Sequence, residues 1–286
     1  MIRFVLSMKK IFLILFLFAT GDLMAQKLPD VQIVNPSVPN NIKIDGKDLE
    51  WNNSFAAENK RTALFYSLTN DDKNLYIVIK STTTSVINKI MLGGITFMIN
   101  LEGKKREKDA LGLTYPLISR NNGAQRIRQG QNRQVNGPSG FQNTSSQSAN
   151  KKDSVLLAMQ KAQLAAVKEI KVFGFKNITD SLISIYNEYG IKAFASITKD
   201  GLYFCEFAIP LSNLTSNSDE LTTIAYQLKV NGLSTMMGLQ NSTQRNPNGF
   251  GAGGNGRNLN PINNNINANQ DLMAPVNFWG KYTLIK

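Results

Sequence analysis

Short β-branched and aromatic runs recur along this chain, each closed by a cluster of turn residues, and that rhythm commits it to β-sheet. Ala63-Leu64-Phe65-Tyr66-Ser67-Leu68 passes through Asn70-Asp71-Asp72-Lys73-Asn74 into Leu75-Tyr76-Ile77-Val78-Ile79, a pattern that predicts a hairpin. The same reading predicts strands at Ile95–Leu101, Ile170–Phe175, Leu182–Glu188, Ile191–Ile197, Leu202–Ile209, Thr222–Val230 and Val276–Ile285. Turn residues separate them, not regular helical spans, so the expected class is all-β: an antiparallel, jelly-roll-like β-sandwich. One inserted helix is expected from Val155 to about Lys168, capped by Asp153 or Ser154 and rich in Leu, Ala, Met, Gln and Lys. Val155, Met159, Ala162 and Ala166 share one face of it, which is expected to pack on the sandwich. A shorter helical turn over Ser85 to Leu92 is a further option.

Two segments break the rhythm. Ser119 to Asn150 holds six Asn, six Gln and four Arg with no acid, and Ser234 to Gln270 is richer still in Asn and Gly. Both far exceed the usual connection of about 4–6 residues. Neither has the apolar content to offset an ordering entropy of ~1–2 kcal/mol per residue, so both are expected as mobile loops of one scaffold.

At the N-terminus, Lys9 and Lys10 precede the apolar run Ile11 to Ala19, and Met24-Ala25-Gln26 follows a short polar stretch. This is the pattern of a secretory signal, with cleavage expected after Ala25 and Met8 as an alternative start. The run is about half the ~20 residues a membrane-spanning helix needs, so no membrane span is expected. The remaining residues, 26–286, are read as one domain. Cys205 is the only cysteine; it is far from the cleavage site, so no lipoprotein is expected, and no internal disulfide can form. It alternates with Tyr203, Phe207 and Ile209 and is read as a small core hydrophobe.

Ile44-Asp45-Gly46-Lys47-Asp48-Leu49-Glu50-Trp51 resembles the N-terminal signature of carbohydrate-binding module family 9-like and DOMON-type sandwiches, an Ile-Asp-Gly turn followed by an acid and a Trp. Asn74-Leu75-Tyr76-Ile77, Phe97-Met98-Ile99-Asn100 and the strand Tyr203 to Leu211, with its acid followed by Ile-Pro, resemble later strands of that family in the expected order. The signal and the Asn-rich segments resemble those of exported Bacteroidetes-type proteins. The resemblance implies a single sandwich with a carbohydrate-type ligand. Family 9 modules hold sugar between paired Trp side chains; Trp51 and Trp279 do not stand at those positions, so the resemblance supplies no site. Trp51 is expected to plug one end of the sandwich, and Glu206, if interior, to need a Lys or Arg partner.

Composition excludes much chemistry. The absence of histidine removes Ser-His-Asp and Cys-His catalysis, His-ligated zinc and His/Met haem ligation. No phosphate loop is present, and the Gly249–Gly256 stretch lacks the flanking strand a dinucleotide fingerprint requires. A carboxylate pair for glycoside hydrolysis is the one enzymatic route left open, and nothing in the sequence positions one, so no enzyme is expected. No cofactor is expected either, although Asp45, Asp48, Asp71 and Asp72 offer oxygen ligands for a structural calcium beside their turn-forming role. The chain carries 32 Lys+Arg against 20 Asp+Glu, a net +12. Arg120, Arg126, Arg128 and Arg133 concentrate that charge beside Phe141 in one acid-free segment, and no nucleic-acid motif accompanies them. These residues, with Tyr115 and Phe250 as exposed aromatics, form the expected ligand site. The expected function is an exported, non-catalytic binding module, periplasmic, cell-surface or secreted, for a carbohydrate (polysaccharide) or an acidic envelope polymer. The alternative is a structural or assembly protein of the cell envelope that binds another protein; no specific nucleic acid is expected as a partner.

Overall fold

A computed structural model describes residues 27–39, 41–47, 49–52, 54–118, 147–215, 222–233 and 271–286, with the side chains of 147–152 left aside. The expected leader and the polar segments 119–146 and 234–270 lie outside the described residues.

Two antiparallel sheets form the sandwich. The first has five strands in the order β1-β2-β3-β9-β8: β1 Ala57–Asn59, β2 Leu64–Asn70, β3 Asn74–Ser81, β9 Tyr203–Pro210 and β8 Lys192–Ile197. The second has six in the order β11-β10-β4-β5-β6-β7: β11 Val276–Thr283, β10 Thr223–Val230, β4 Ile95–Asn100, β5 Leu111–Tyr115, β6 Glu169–Phe173 and β7 Leu182–Ser184. The predicted hairpin is β2–β3, with Leu68 opposite Ile77. Side chains alternate between faces with period two, so Leu75, Ile77 and Ile79 enter the core while Tyr76 and Val78 point to the other side of the sheet.

The two inner faces meet through aromatics. Phe97 stacks on Phe207 with centroids 6.5 Å apart, and the Tyr66 and Tyr226 hydroxyls, one from each sheet, are 2.8 Å apart. The Gln32 backbone N–H donates to Tyr66 Oη at 2.9 Å, completing a buried polar chain inside an apolar core. Cys205 lies in the same core, as its alternation predicted, and burial pushes its thiol well above the usual range. Each core Phe or Leu contributes about 1.5–3 kcal/mol through burial.

Three expectations change. The helical option at 85–92 is a full helix, α1 Thr84–Gly93, ended by Gly94, whose N–H donates to the Ile90 carbonyl at 2.7 Å. The expected helix is longer and turned over. It runs Gln147–Ala165 (α2), and Val155 and Met159 are 62% and 44% exposed, with Ala162 and Ala166 also exposed. Its buried side is Leu157, Leu164 and, just beyond its end, Val167, because leucines offer more apolar area than the Ala-rich stripe. Thirdly, β5 and β1 were not foreseen, and β7 keeps only three of the seven residues expected. There Asn187 Nδ2 donates to the carbonyls of Ser184 and Ile191 and turns the chain out of the sheet.

Candidate ligand-binding face

The motif residues at 44–51 and 203–211 meet on the outer side of the five-stranded sheet. An N-terminal strap lays Leu28, Val38, Ile42, Ile44, Trp51 and Phe55 over Tyr76, Val78, Phe204 and Ala208. Trp51 is buried there, against the sheet face and not at an end of the sandwich as expected. Glu206 points into this second core with no exposure, and its partner is not a Lys or Arg. Its Oε2 accepts from the Asp45 and Gly46 backbone N–H groups at 3.0 and 2.7 Å, and its Oε1 accepts from Trp51 Nε1–H at 2.7 Å. Gly46 is required at this turn: its φ is +74°, and a Cβ would stand 2.7 Å from the Phe194 ring. Burial pushes the Glu206 carboxyl up to about 7, against the pull of the Trp51, Gly46 and Asp45 N–H donors. This carboxylate is a latch that ties the strap to β9.

The outer face of the six-stranded sheet is built differently. Strand register places Trp279, Gln227, Met98, Gly112 and Phe173 in one row across β11, β10, β4, β5 and β6. Both rings are partly exposed and sit four strands apart, about 19 Å at ~4.8 Å per strand. Gly112 leaves room for this arrangement: a Cβ there would be 3.1 Å from the Phe173 ring and closer still to the backbone of β4. The next row is Asn277, Lys229, Thr96, Thr114, Lys171 and Leu182.

Between these rows lies a groove of about 290 Å³, floored by Thr96, Thr114 and Met98 and walled by Phe173, Lys171 and Lys229. Glu107 reaches it from the β4–β5 connection and pairs with Lys229 at 3.0 Å; that contact, first of all, holds the Glu107 carboxyl below the usual range. Asn231 Nδ2 donates to Thr96 Oγ1 at 2.8 Å, and the Thr96 and Thr114 hydroxyls are 2.8 Å apart. Thr96 Oγ1 thus accepts from Asn231 and shares one further hydrogen bond with the Thr114 hydroxyl, in which either oxygen can donate. Lys171 has no ion-pair partner among the described residues.

Of the residues expected to form the site, Arg120, Arg126, Arg128, Arg133, Phe141 and Phe250 lie outside the described residues. Tyr115 is corrected: it is 2% exposed, inside the sandwich, edge-on to Phe207 at 6.5 Å, and it presents no ring to a ligand. β5 directs it inward with Leu111 and Leu113. The chain leaves the described region after Ile118, one residue past groove-lining Leu117, and again after Leu233, two past groove-lining Asn231. Asp71 is engaged in its turn: Oδ1 accepts from the Lys73 and Asn74 N–H groups and Oδ2 from the Tyr76 hydroxyl. Asp45 likewise accepts from Lys47 N–H, and Asp48 lies outside the described residues. Among the described residues, no three acidic or thiol side chains converge on a point where a metal would sit. None of the described helices is long and apolar enough to cross a membrane. Comparison of the chain with family models, with curated proteins and with solved structures finds no match in any of the three.

Proposed function

We propose that this protein is an exported, non-catalytic binding module that holds a carbohydrate or an acidic envelope polymer against the outer face of its six-stranded sheet. The observation that carries the reading is the row with Trp279 at one end and Phe173 at the other, bordered by a groove lined with hydroxyl, amide and ammonium groups. A flat aromatic beside convergent polar groups suits a sugar, whose C–H face is apolar and whose rim is hydroxylated. The resemblance of the 44–51 and 203–211 motifs to family 9-like and DOMON-type sandwiches favours the same ligand class. In the sequence, the acid-free segment with Arg120, Arg126, Arg128 and Arg133 starts at Ser119, directly after Ile118, and its charge favours an acidic ligand.

A glycan array on the exported protein tests the reading. Wild type retains a subset of glycans, and Trp279→Ala loses most of that signal while remaining folded. Replacing the four arginines by Gln lowers binding to acidic polymers and flattens its salt dependence between ~50 and ~200 mM, as loss of counterion release requires. Retention of no glycan by wild type would contradict the proposal. The envelope-assembly reading draws on a separate observation, the exposed stripe Val155, Leu156 and Met159 on α2. It gains if wild type binds no glycan.

A further inference from the structure

Resting on the binding-module reading, we infer that the groove on the six-stranded sheet is selective for an acidic sugar residue, a uronate, with its carboxylate held by Lys171 and Thr114 and its ring face against Phe173. The three residues stand in the right relation for one ligand to span them. Thr114 and Lys171 are direct cross-strand partners on β5 and β6, and Phe173 follows Lys171 by two positions, on the same outer face. A volume of about 290 Å³ suits a single sugar residue with room for the chain to continue.

Charge decides the class of sugar. Lys229 is already answered by Glu107 at 3.0 Å, whereas Lys171 has no ionic partner among the described residues. The groove therefore holds two cations against one anion, and a neutral sugar leaves Lys171 without a counter-charge. With Thr96 donating to Thr114, one of the two directions their bond allows, the Thr114 hydroxyl offers a second donor to the same carboxylate. Both floor threonines are largely buried, at 7% and 8% residue exposure, so the hydrogen-bonded pair is held in place before a ligand arrives. Phe173 is fixed over Gly112, where any side chain would collide with the ring or with β4. Preorganisation of this kind lowers the entropic cost of binding.

The test is calorimetric titration of the full exported protein with an oligogalacturonide, with a neutral galacto-oligosaccharide of the same length, and with free galacturonate. The inference predicts that the acidic oligomer binds about tenfold tighter than the neutral one, the difference one charged hydrogen bond makes. Lys171→Gln abolishes that preference, so that this variant binds the acidic and the neutral oligomer equally, Thr114→Val weakens the acidic oligomer more than the neutral one, and Phe173→Ala weakens both. Weaker binding of free galacturonate than of the oligomer places the recognised carboxylate in a polymer, whereas equal binding assigns the groove to the free acid. Thermal melts establish that each variant is folded, and Lys171→Gln, on a partly exposed side chain, is the variant that decides. Equal affinity for acidic and neutral oligomers, or an acidic preference that survives Lys171→Gln and disappears only with the four-arginine variant, overturns the inference and leaves the binding-module reading standing. Absence of binding to all three sugars overturns both.

Discussion

Glu206 shows how one residue makes sense of two distant motifs. In the sequence, the Asp-Gly pair and Trp51 point to a turn and a plug, and the acid before Ile209-Pro210 to half of an ion pair. The carboxylate instead joins them by accepting three N–H bonds. The identity of the partners was not legible, because two are backbone N–H groups, which leave no mark in a sequence, and the third, the Trp51 indole, lies 155 residues away; only the need for a partner was. Glu206→Gln replaces one acceptor oxygen by an NH₂ that must face an N–H donor, at a cost of about 1–3 kcal/mol. The pH dependence has a definite sign. With its folded pKa raised by burial to about 7 from an ordinary 4.5, the carboxyl contributes stability that is complete below pH 4.5 and lost as pH rises through 7. The variant does not titrate, so its deficit relative to wild type is largest near pH 4.5 and narrows towards pH 8. Urea unfolding of both proteins across that range measures it.

At the scale of elements, alternation located most strands and their inward sides, but it could not say which strands lie next to one another. Lys171, Thr114, Thr96 and Lys229 are far apart in the chain and adjacent in the sheet only through β10–β4–β5–β6 pairing. The groove was therefore invisible in the sequence, although Lys171-Val172-Phe173 and Phe278-Trp279 already placed an aromatic on the outward side of each strand. β5 was hidden by Gly112, which resembles a turn residue; it is there because β4 approaches too closely for a Cβ. On α2 the period was right and the phase wrong, since two apolar stripes compete and the leucine stripe wins. Leu164→Ala is expected to cost about 2–5 kcal/mol, as for other buried leucines. Met159→Ala, on the exposed stripe, should stay within about 0.5 kcal/mol of wild type. Chemical denaturation of the two variants distinguishes the observed packing from the reverse.

Taken whole, the molecule treats its two outer faces unequally. The five-stranded sheet is sealed by the N-terminal strap, with Trp51 buried in the seal, while the six-stranded sheet presents Trp279, Phe173 and a polar groove. The sandwich class was legible from turn rhythm, and the absence of histidine removed histidine-dependent catalysis and ligation. The sequence points instead to Arg120, Arg126, Arg128 and Arg133 with Phe141, Tyr115 and Phe250, because exposure of a strand residue depends on what the rest of the chain places over it. The two tryptophans now serve as reporters for the two faces. Indole N–H resonances give one signal for Trp51, held by Glu206, and one for Trp279. Titration of ¹⁵N-labelled protein with an oligosaccharide retained on the array should shift the Trp279 signal in a saturable way and leave the Trp51 signal in place. A saturable shift of Trp51 alone, or binding that moves neither signal and persists in Trp279→Ala, would contradict the assignment of the ligand to the six-stranded face.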